Sequence, residues 1–326
     1  MNKVNLSEIS KPIRNELTVF EQTFGDSIRS KINLVDLVAK YILKQKGKKI
    51  RPLLVLLAAK ACGEISDRTY RGATLVELLH SATLIHDDVV DNAEQRRGLP
   101  SINAVWKNKI AVLMGDYLLA RGLMIAVNGK DFDFLEVITN TVKRMSEGEL
   151  LQIQKTRKLD IDEDTYFQVI SDKTASLLET CCEIGAASTT DDPEHRIAMK
   201  NYGLFLGISF QIQDDILDYE GSFKLFGKAI GTDIKDKKIT LPLIYALNNS
   251  SPKEAASIRK LMKGKKTKDT IKEIIEFVHE KKGIEYSHKM ALDYAHRAIK
   301  SIEPVPDSVS KQSLTALANF VVERKN

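Results

Sequence analysis

Apolar residues recur three and four positions apart through nearly the whole chain, and β-branched runs alternating apolar with polar are almost absent. That spacing is the period of a helix and not of a strand, so it confines the 326 residues to packed helices. Local signals mark the ends. Pro52 suits the first turn of a helix running to Cys62, and Gly63 stops it. Ser66 or Asp67 caps a long helix through "TLVELLHSATLIHDDVVDNA" to about residue 95, closed by Gly98 and Pro100. Further helices are predicted over about 110–127, 131–156, 162–188 and 193–219, with four shorter amphipathic ones after Thr240. The stretch 220–240 is rich in glycine and lysine and reads as a long loop, a length that is usually either functional or disordered. No linker or composition break divides the chain, so one all-α domain over 1–326 is expected.

Composition removes several function classes. The net charge of +5 is modest, no basic stripe carries interleaved aromatics, and Trp106 is the sole tryptophan, which argues against a nucleic-acid partner. Three cysteines (Cys62, Cys181 and Cys182) make neither a disulfide framework nor a zinc spacing. The first residues lack the apolar core of a signal peptide, and the longest unbroken apolar run, "PLLVLLAA", is too short to span a bilayer. A reduced, cytoplasmic protein is the expectation.

One chemical pattern repeats. "HDDVVD" at 86–91 is echoed by "QDDILD" at 213–218, each Asp-Asp-x-x-Asp in an apolar helical stretch. On a helix, positions three and four apart share a face, so Asp87, Asp88 and Asp91 crowd like charges together, as do Asp214, Asp215 and Asp218. A single such motif reads as readily as a solvated face. Two facing motifs inside a bundle call for cations, and carboxylate-only sets suit hard ions such as Mg²⁺ that are completed by water and substrate phosphates. Neither motif has the order of an EF-hand loop or the Glu-x-x-His pairs of a di-iron bundle. Basic groups accompany them: "KGKKIRP" at 46–52, Arg96 and Arg97, Lys173, and "GKAIGTDIKDKKITLP" at 227–242. Each alone reads as an exposed turn, a helix C-terminus or a solvated lysine. Together with the acids they suggest a site for diphosphates, which arginine grips bidentately and lysine as a point charge.

In this order the motifs resemble those of the trans-isoprenyl diphosphate synthases, or polyprenyl synthetases, from about residue 10 to the end. "GKKIRP", "ELLHSATLIHDDVVD" with "RRG", "GELLQ" at 148–152, "KTASL", "FQIQDDILD" and "GK..GTD....K.TLP" appear in sequence. The resemblance implies an all-α helical bundle of the isoprenoid synthase type with a central cavity. It implies that Asp87, Asp88 and Asp91 hold two Mg²⁺ ions and Asp214, Asp215 and Asp218 a third. Arg96, Lys173, Thr174, Gln211, Lys228 and Lys238 match the family's contacts to an allylic diphosphate. Lys48, Arg51, His80 and Arg97 match its pocket for isopentenyl diphosphate. Two departures stand out: Lys46 replaces the family's first glycine of Gly-Gly-Lys, and Ala229 stands where a proline is common. His80 and His86, six apart, do not share a helix face and form no metal pair; His86 reads as a supporting or core histidine.

The implied chemistry is addition of isopentenyl diphosphate to an allylic cation formed as diphosphate departs, and it needs no Ser-His-Asp or Cys-His arrangement. Ala82 and Thr83, five and four residues before Asp87, are small and leave room for a growing tail, with the floor on the helix "DYLLARGLMIAV". The chain therefore looks most like the long-chain, octaprenyl- and heptaprenyl-type synthases, with a product of about C30–C40 for quinone side chains from a farnesyl or geranyl primer. By the same resemblance a homodimer is expected, with peripheral membrane contact for product release and the 220–240 loop as a lid. The alternatives are a farnesyl- or geranylgeranyl-type short-chain synthase, a class I terpene cyclase, and a regulatory subunit of a synthase. A cyclase rarely carries a second Asp-Asp-x-x-Asp, and a silent subunit usually loses aspartates that are all present here.

Overall fold

A computed structural model describes residues 5–45, 47–159, 161–220 and 231–324. The chain opens with α1 (Leu6–Ile9), α2 (Arg14–Ser27) and α3 (Asn33–Lys44). Then come α4 (Ile50–Cys62) and α5 (Asp67–Val90), a hairpin of β1 (Gln95–Arg96) and β2 (Leu99–Pro100), α6 (Ile102–Gly129) and α7 (Phe132–Lys158). The next helix is interrupted: α8 (Glu163–Ile170) passes through a wide π turn, Ser171–Ala175, into α9 (Ser176–Ala187). After α10 (Pro193–Glu220) follow the short α11 (Thr232–Lys235), then α12 (Leu241–Asn248), α13 (Pro252–Lys263), α14 (Lys268–Glu280), α15 (Gly283–Ser301) and α16 (Val309–Glu323).

Four of these are the central struts. α4, "IRPLLVLLAAKAC", is apolar all round and almost wholly buried, the mark of a helix with no solvent face. It packs along α9, which lies along α10, while α5 runs beside α6 and α10 beside α15. Glycines bring α9 close: a Cβ on Gly185 would lie 2.4 Å from the Val55 carbonyl oxygen, and one on Gly203 2.4 Å from that of Leu178. Both acidic motifs sit near the C-terminal ends of struts, α5 and α10.

Several expectations are corrected. α5 ends at Val90, not near 95, and the residues after it form a hairpin. α6 begins eight residues before the predicted 110, capped by Ser101 and kinked at Lys107 (φ 71°, ψ 161°). By length and composition α6 could cross a membrane, although Asp116 and Arg121 interrupt its apolar residues, and a third of its most apolar window is buried. Five helices, not four, follow Thr240. Of the predicted 220–240 loop, Glu220 still belongs to α10 and 232–235 are helical. Residues 221–230 lie outside the described residues, with Lys228 and Ala229, as does Lys46.

Candidate active site

The hairpin after α5 aims the two arginines. Its turn, Arg97-Gly98, has positive φ at both positions (52° and 77°), the two-residue geometry that matches strand twist. Arg96 is thereby folded back onto the first motif, where its Nε donates to Asp88 at 2.6 Å. Arg97 instead reaches the turn before α4 and donates to the Gln45 carbonyl at 3.3 Å. A Cβ on Gly47 would come within 2.5 Å of the Arg97 guanidinium, so this glycine of the "GKKIRP" turn makes room for the arginine.

Lys48, Arg51, His80 and Arg97, four positions drawn from two separate motifs, converge on one cavity of about 1500 Å³. Asp88 and Arg96 border it from the first motif and Asp214 from the second. Its chemistry is that of an anion site. Arg51 Nε and Arg324 Nε are buried with no acceptor among the described residues, and both residues line the cavity. A buried guanidinium N–H without an acceptor is costly, and a bound oxyanion would remove that cost. Burial, with Arg51, Arg97 and Arg96 near it, holds the His80 imidazole well below the usual histidine range, so it is neutral at pH 7. Glu77 lines the same cavity, and burial raises its carboxyl against the pull of Arg51 and Arg97.

Lys173, Thr174, Gln211 and Lys238 gather around a second, smaller cavity of about 200 Å³, bordered also by Asp215, Asp233 and Tyr166. Lys173 and Thr174 lie in the π turn. The lysine ammonium bonds Gln152 Oε1 at 2.6 Å and pairs with Glu149, both of the "GELLQ" motif on α7. The Thr174 hydroxyl donates to Gln211 Oε1 at 3.0 Å, and Gln211 Nε2 donates to Asp215 Oδ1 at 2.8 Å. The predicted basic set thus divides in space along the lines the motifs suggested, with one exception. Arg96, grouped with Lys173 on sequence, lines the larger cavity.

The two acidic motifs differ in how their carboxylates are held. Asp87 and Asp91 are exposed, and no hydrogen bond engages either side chain among the described residues. In the second motif, Asp214 pairs with Arg324, and Asp218 accepts from the Thr232 and Asp233 N–H groups at 3.1 Å each. Asp215 is buried and receives the Tyr166 hydroxyl at 2.7 Å besides Gln211. Even so its pKa is pushed up to about 8, by burial first and by Asp233 next. Among the described residues no three Asp, Glu, His or Cys side chains converge as a ready metal cage. An oxygen-only set of spread carboxylates beside orphaned arginine N–H groups fits a divalent cation shared with phosphates rather than one enclosed by protein.

His86 is a supporting residue, as expected: its ring rests on α6, with Nε2 3.2 Å from the Val112 carbonyl, and a Cβ on Gly115 would lie 2.2 Å from that nitrogen. Thr83 lies one helical turn before Asp87, half-buried, its hydroxyl donating to the His80 carbonyl at 2.9 Å. Ala82 is buried in a cluster with Leu78, Ile85, Met114 and Leu118 between α5 and α6. Neither residue lines the two cavities described. Four site neighbours escaped the sequence reading: Glu77, Tyr166, Asp233 and Arg324. Glu77 opens the "ELLHSATLIHDDVVD" stretch and Asp233 ends "GTD", so both carry the signal of an acidic residue inside a motif; Tyr166 and Arg324 carry no local signal.

Comparisons with known proteins bear on this geometry. The sequence profile described as polyprenyl synthetase matches residues 32–278. An all-trans-nonaprenyl-diphosphate synthase (geranyl-diphosphate specific) from Rhodobacter capsulatus is 37% identical over 318 residues, 97% of each chain. Heptaprenyl diphosphate synthase component 2 from Bacillus subtilis is 32% identical over 96% of this chain and 89% of its own. Among solved structures, a polyprenyl synthase from Caulobacter crescentus, complexed with calcium and isoprenyl diphosphate, superposes with a TM-score of 0.91 at 30% identity over the full length of both chains.

Proposed function

The chain belongs to the polyprenyl synthetase family, and from that membership we propose that it is a long-chain trans-prenyl diphosphate synthase acting as one catalytic domain over 1–326. The observation that carries the reading is the division of the basic residues between two cavities, each bordered by an acidic motif. The cavity of Lys48, Arg51, His80 and Arg97 takes the diphosphate of isopentenyl diphosphate. That of Lys173, Thr174, Gln211 and Lys238 takes the allylic diphosphate; Arg96 would reach it from the larger cavity, and Lys228 is assigned to it by its motif alone. Asp87, Asp88, Asp91, Asp214, Asp215 and Asp218 would hold up to three Mg²⁺ ions with the substrate phosphates. Such ions would supply charge neutralisation of the leaving diphosphate, as Lewis acid and template.

The chain's own residues do the rest. Lys173 and Lys238 face the oxygens on which charge grows as the C–O bond breaks, a preorganised electrostatic stabilisation. Arg51 and Arg97 fix the second substrate so that its double bond meets the allylic carbon, converting a bimolecular encounter into a positioned one. The neutral His80 ring adds hydrogen bonding without competing for the proton lost at the end, which the released diphosphate accepts. Thr83, on the Asp87 face of α5, and Ala82, packed toward α6, are the small residues assigned to the growing tail's path, which runs beyond the two cavities.

The product proposed is longer than C20, about C30–C40, for quinone side chains, from a geranyl or farnesyl primer. The uncovered apolar face of α6, with Leu113 56% and Met124 52% exposed, supports assembly as a homodimer. We read the protein as cytoplasmic, touching membrane only to release product. The test is incubation with Mg²⁺, isopentenyl diphosphate and geranyl or farnesyl diphosphate, with products resolved by length. A ladder beyond C20 is expected, shortened by Thr83→Phe. A hydrocarbon formed without isopentenyl diphosphate would instead indicate a cyclase, and a product stopping at C15 or C20 a short-chain synthase.

A further inference from the structure

Among the described residues the π turn Ser171–Ala175 is the one place where a central helix is widened, and it carries two residues of the smaller cavity, Lys173 and Thr174. A π turn inserts one residue into the α-helical register, so side chains on its two flanks differ by roughly 100° from where a continuous helix would aim them. Such a turn has no local advantage and persists only where its surroundings hold it. Two glycines allow the close approach. A Cβ on Gly148 of α7 would lie 2.9 Å from the Lys173 nitrogen, and one on Gly207 of α10 2.5 Å from the Ala175 Cα.

Glycines permit the widened turn; they do not hold it. The clamp is Arg144, from the turn of α7 before the "GELLQ" motif. Its Nε donates to Asp172 Oδ1 at 2.9 Å, its Nη1 to Glu179 Oε2 at 2.7 Å, and its Nη2 to Ser171 Oγ at 3.4 Å. One planar guanidinium therefore grips two residues inside the wide turn and one in the α-helix after it, fixing the step in register between them. Glu179 is buried, and Lys200 of α10 approaches its other oxygen at 3.8 Å while pairing with Glu183 at 3.1 Å. The seam ties α7, the turn and α10 together on the side away from the cavity. Arg144 lines neither cavity.

We propose that Arg144 is a positioning residue for the allylic diphosphate, acting through Asp172 and Glu179 to hold the π turn that aims Lys173 and Thr174. The inference rests on the reading of the smaller cavity given above. A lysine at 144 supplies charge but not the planar fork, so it restores little of the geometry.

Steady-state kinetics of wild type, Arg144→Lys, Arg144→Met and Asp172→Asn, varying each substrate in turn, test it, with thermal melting of each variant alongside. The expected result is a KM for the allylic diphosphate raised about tenfold to a hundredfold in both Arg144 variants and in Asp172→Asn, with the KM for isopentenyl diphosphate within about twofold. The double variant Arg144→Met with Asp172→Asn should be no worse than Arg144→Met alone, because both remove one clamp. A lower melting temperature with both KM values unchanged would reduce Arg144 to a structural brace and overturn the proposal, as would equal rises in both KM values. If Arg144→Met does not fold, the same reading is taken from Arg144→Lys and Asp172→Asn. A wild-type chain that elongates no allylic diphosphate would remove the functional reading itself, and this inference with it.

Discussion

The first and second acidic motifs share the spelling Asp-Asp-x-x-Asp and little else. The first ends α5 at the surface, with Asp87 and Asp91 exposed and, among the described residues, only Asp88 tied by a side-chain hydrogen bond, to Arg96 eight residues along the chain. The second is held at every aspartate: Asp214 by Arg324 from the C-terminal end, Asp215 by Tyr166 and Gln211, Asp218 by the N–H groups that open α11. The difference teaches that one sequence word can supply an open ligand face in one place and a braced one in another. The open motif can rearrange around incoming ions and phosphates. The braced one fixes where they must meet, and exchanges existing partners when it binds.

The largest effect should come from breaking the open side. Asp87→Ala is expected to lower turnover on the order of 10²–10³-fold, the scale seen when one preorganised charge-stabilising group is removed. Its stability should change by less than about 0.5 kcal/mol, because no hydrogen bond is lost. Chemical denaturation beside turnover assays checks both; a stability loss as large as that of the braced side would erase the distinction.

Next comes the braced side. Tyr166→Phe leaves buried Asp215 with one side-chain donor in place of two, and a lost partner for a buried polar group costs about 1–3 kcal/mol. Denaturant unfolding of the metal-free protein should show that loss. An unchanged midpoint would mean that the hydroxyl does not brace the motif.

The smallest effect concerns the cluster below the first motif. His80 is held neutral in the fold, whereas an unfolded histidine takes a proton near pH 6.5. Below that pH the unfolded chain binds one more proton, so stability present above about pH 6.5 is lost as pH falls, by up to about 1.4 kcal/mol per unit. His80→Gln should flatten the pH dependence of stability between about pH 5 and 6.5. A slope that persists would assign it to other groups.

Much of this was legible in the sequence because it is local. Helical period, the Pro52 start and the spacing of each motif are properties of neighbouring residues, and the structure keeps α4, α7 and α10 within a few residues of their predicted limits. The basic residues could be grouped because each rides on a motif. What was not legible depends on residues distant in the chain. Tyr166 meets Asp215 and Arg324 meets Asp214 only because α8 and α16 pack on α10. The hairpin at 95–100 hid because its turn begins with arginine, a residue that seldom adopts positive φ. The π turn hid because "SDKTA" is as compatible with an α-helix, and its widening depends on residues of other helices: Gly148 and Gly207 leave room for it and Arg144 grips it.

The account rests on two cavities serving two substrates, and crossed kinetics measure that most directly. Arg51→Met and Lys173→Met are each assayed with one substrate varied and the other saturating. The prediction is a KM for isopentenyl diphosphate raised about tenfold or more by Arg51→Met alone, and a KM for the allylic diphosphate raised likewise by Lys173→Met alone, the loss expected for one charge-assisted contact. Both variants raising both constants equally, or the pattern reversed, would contradict it.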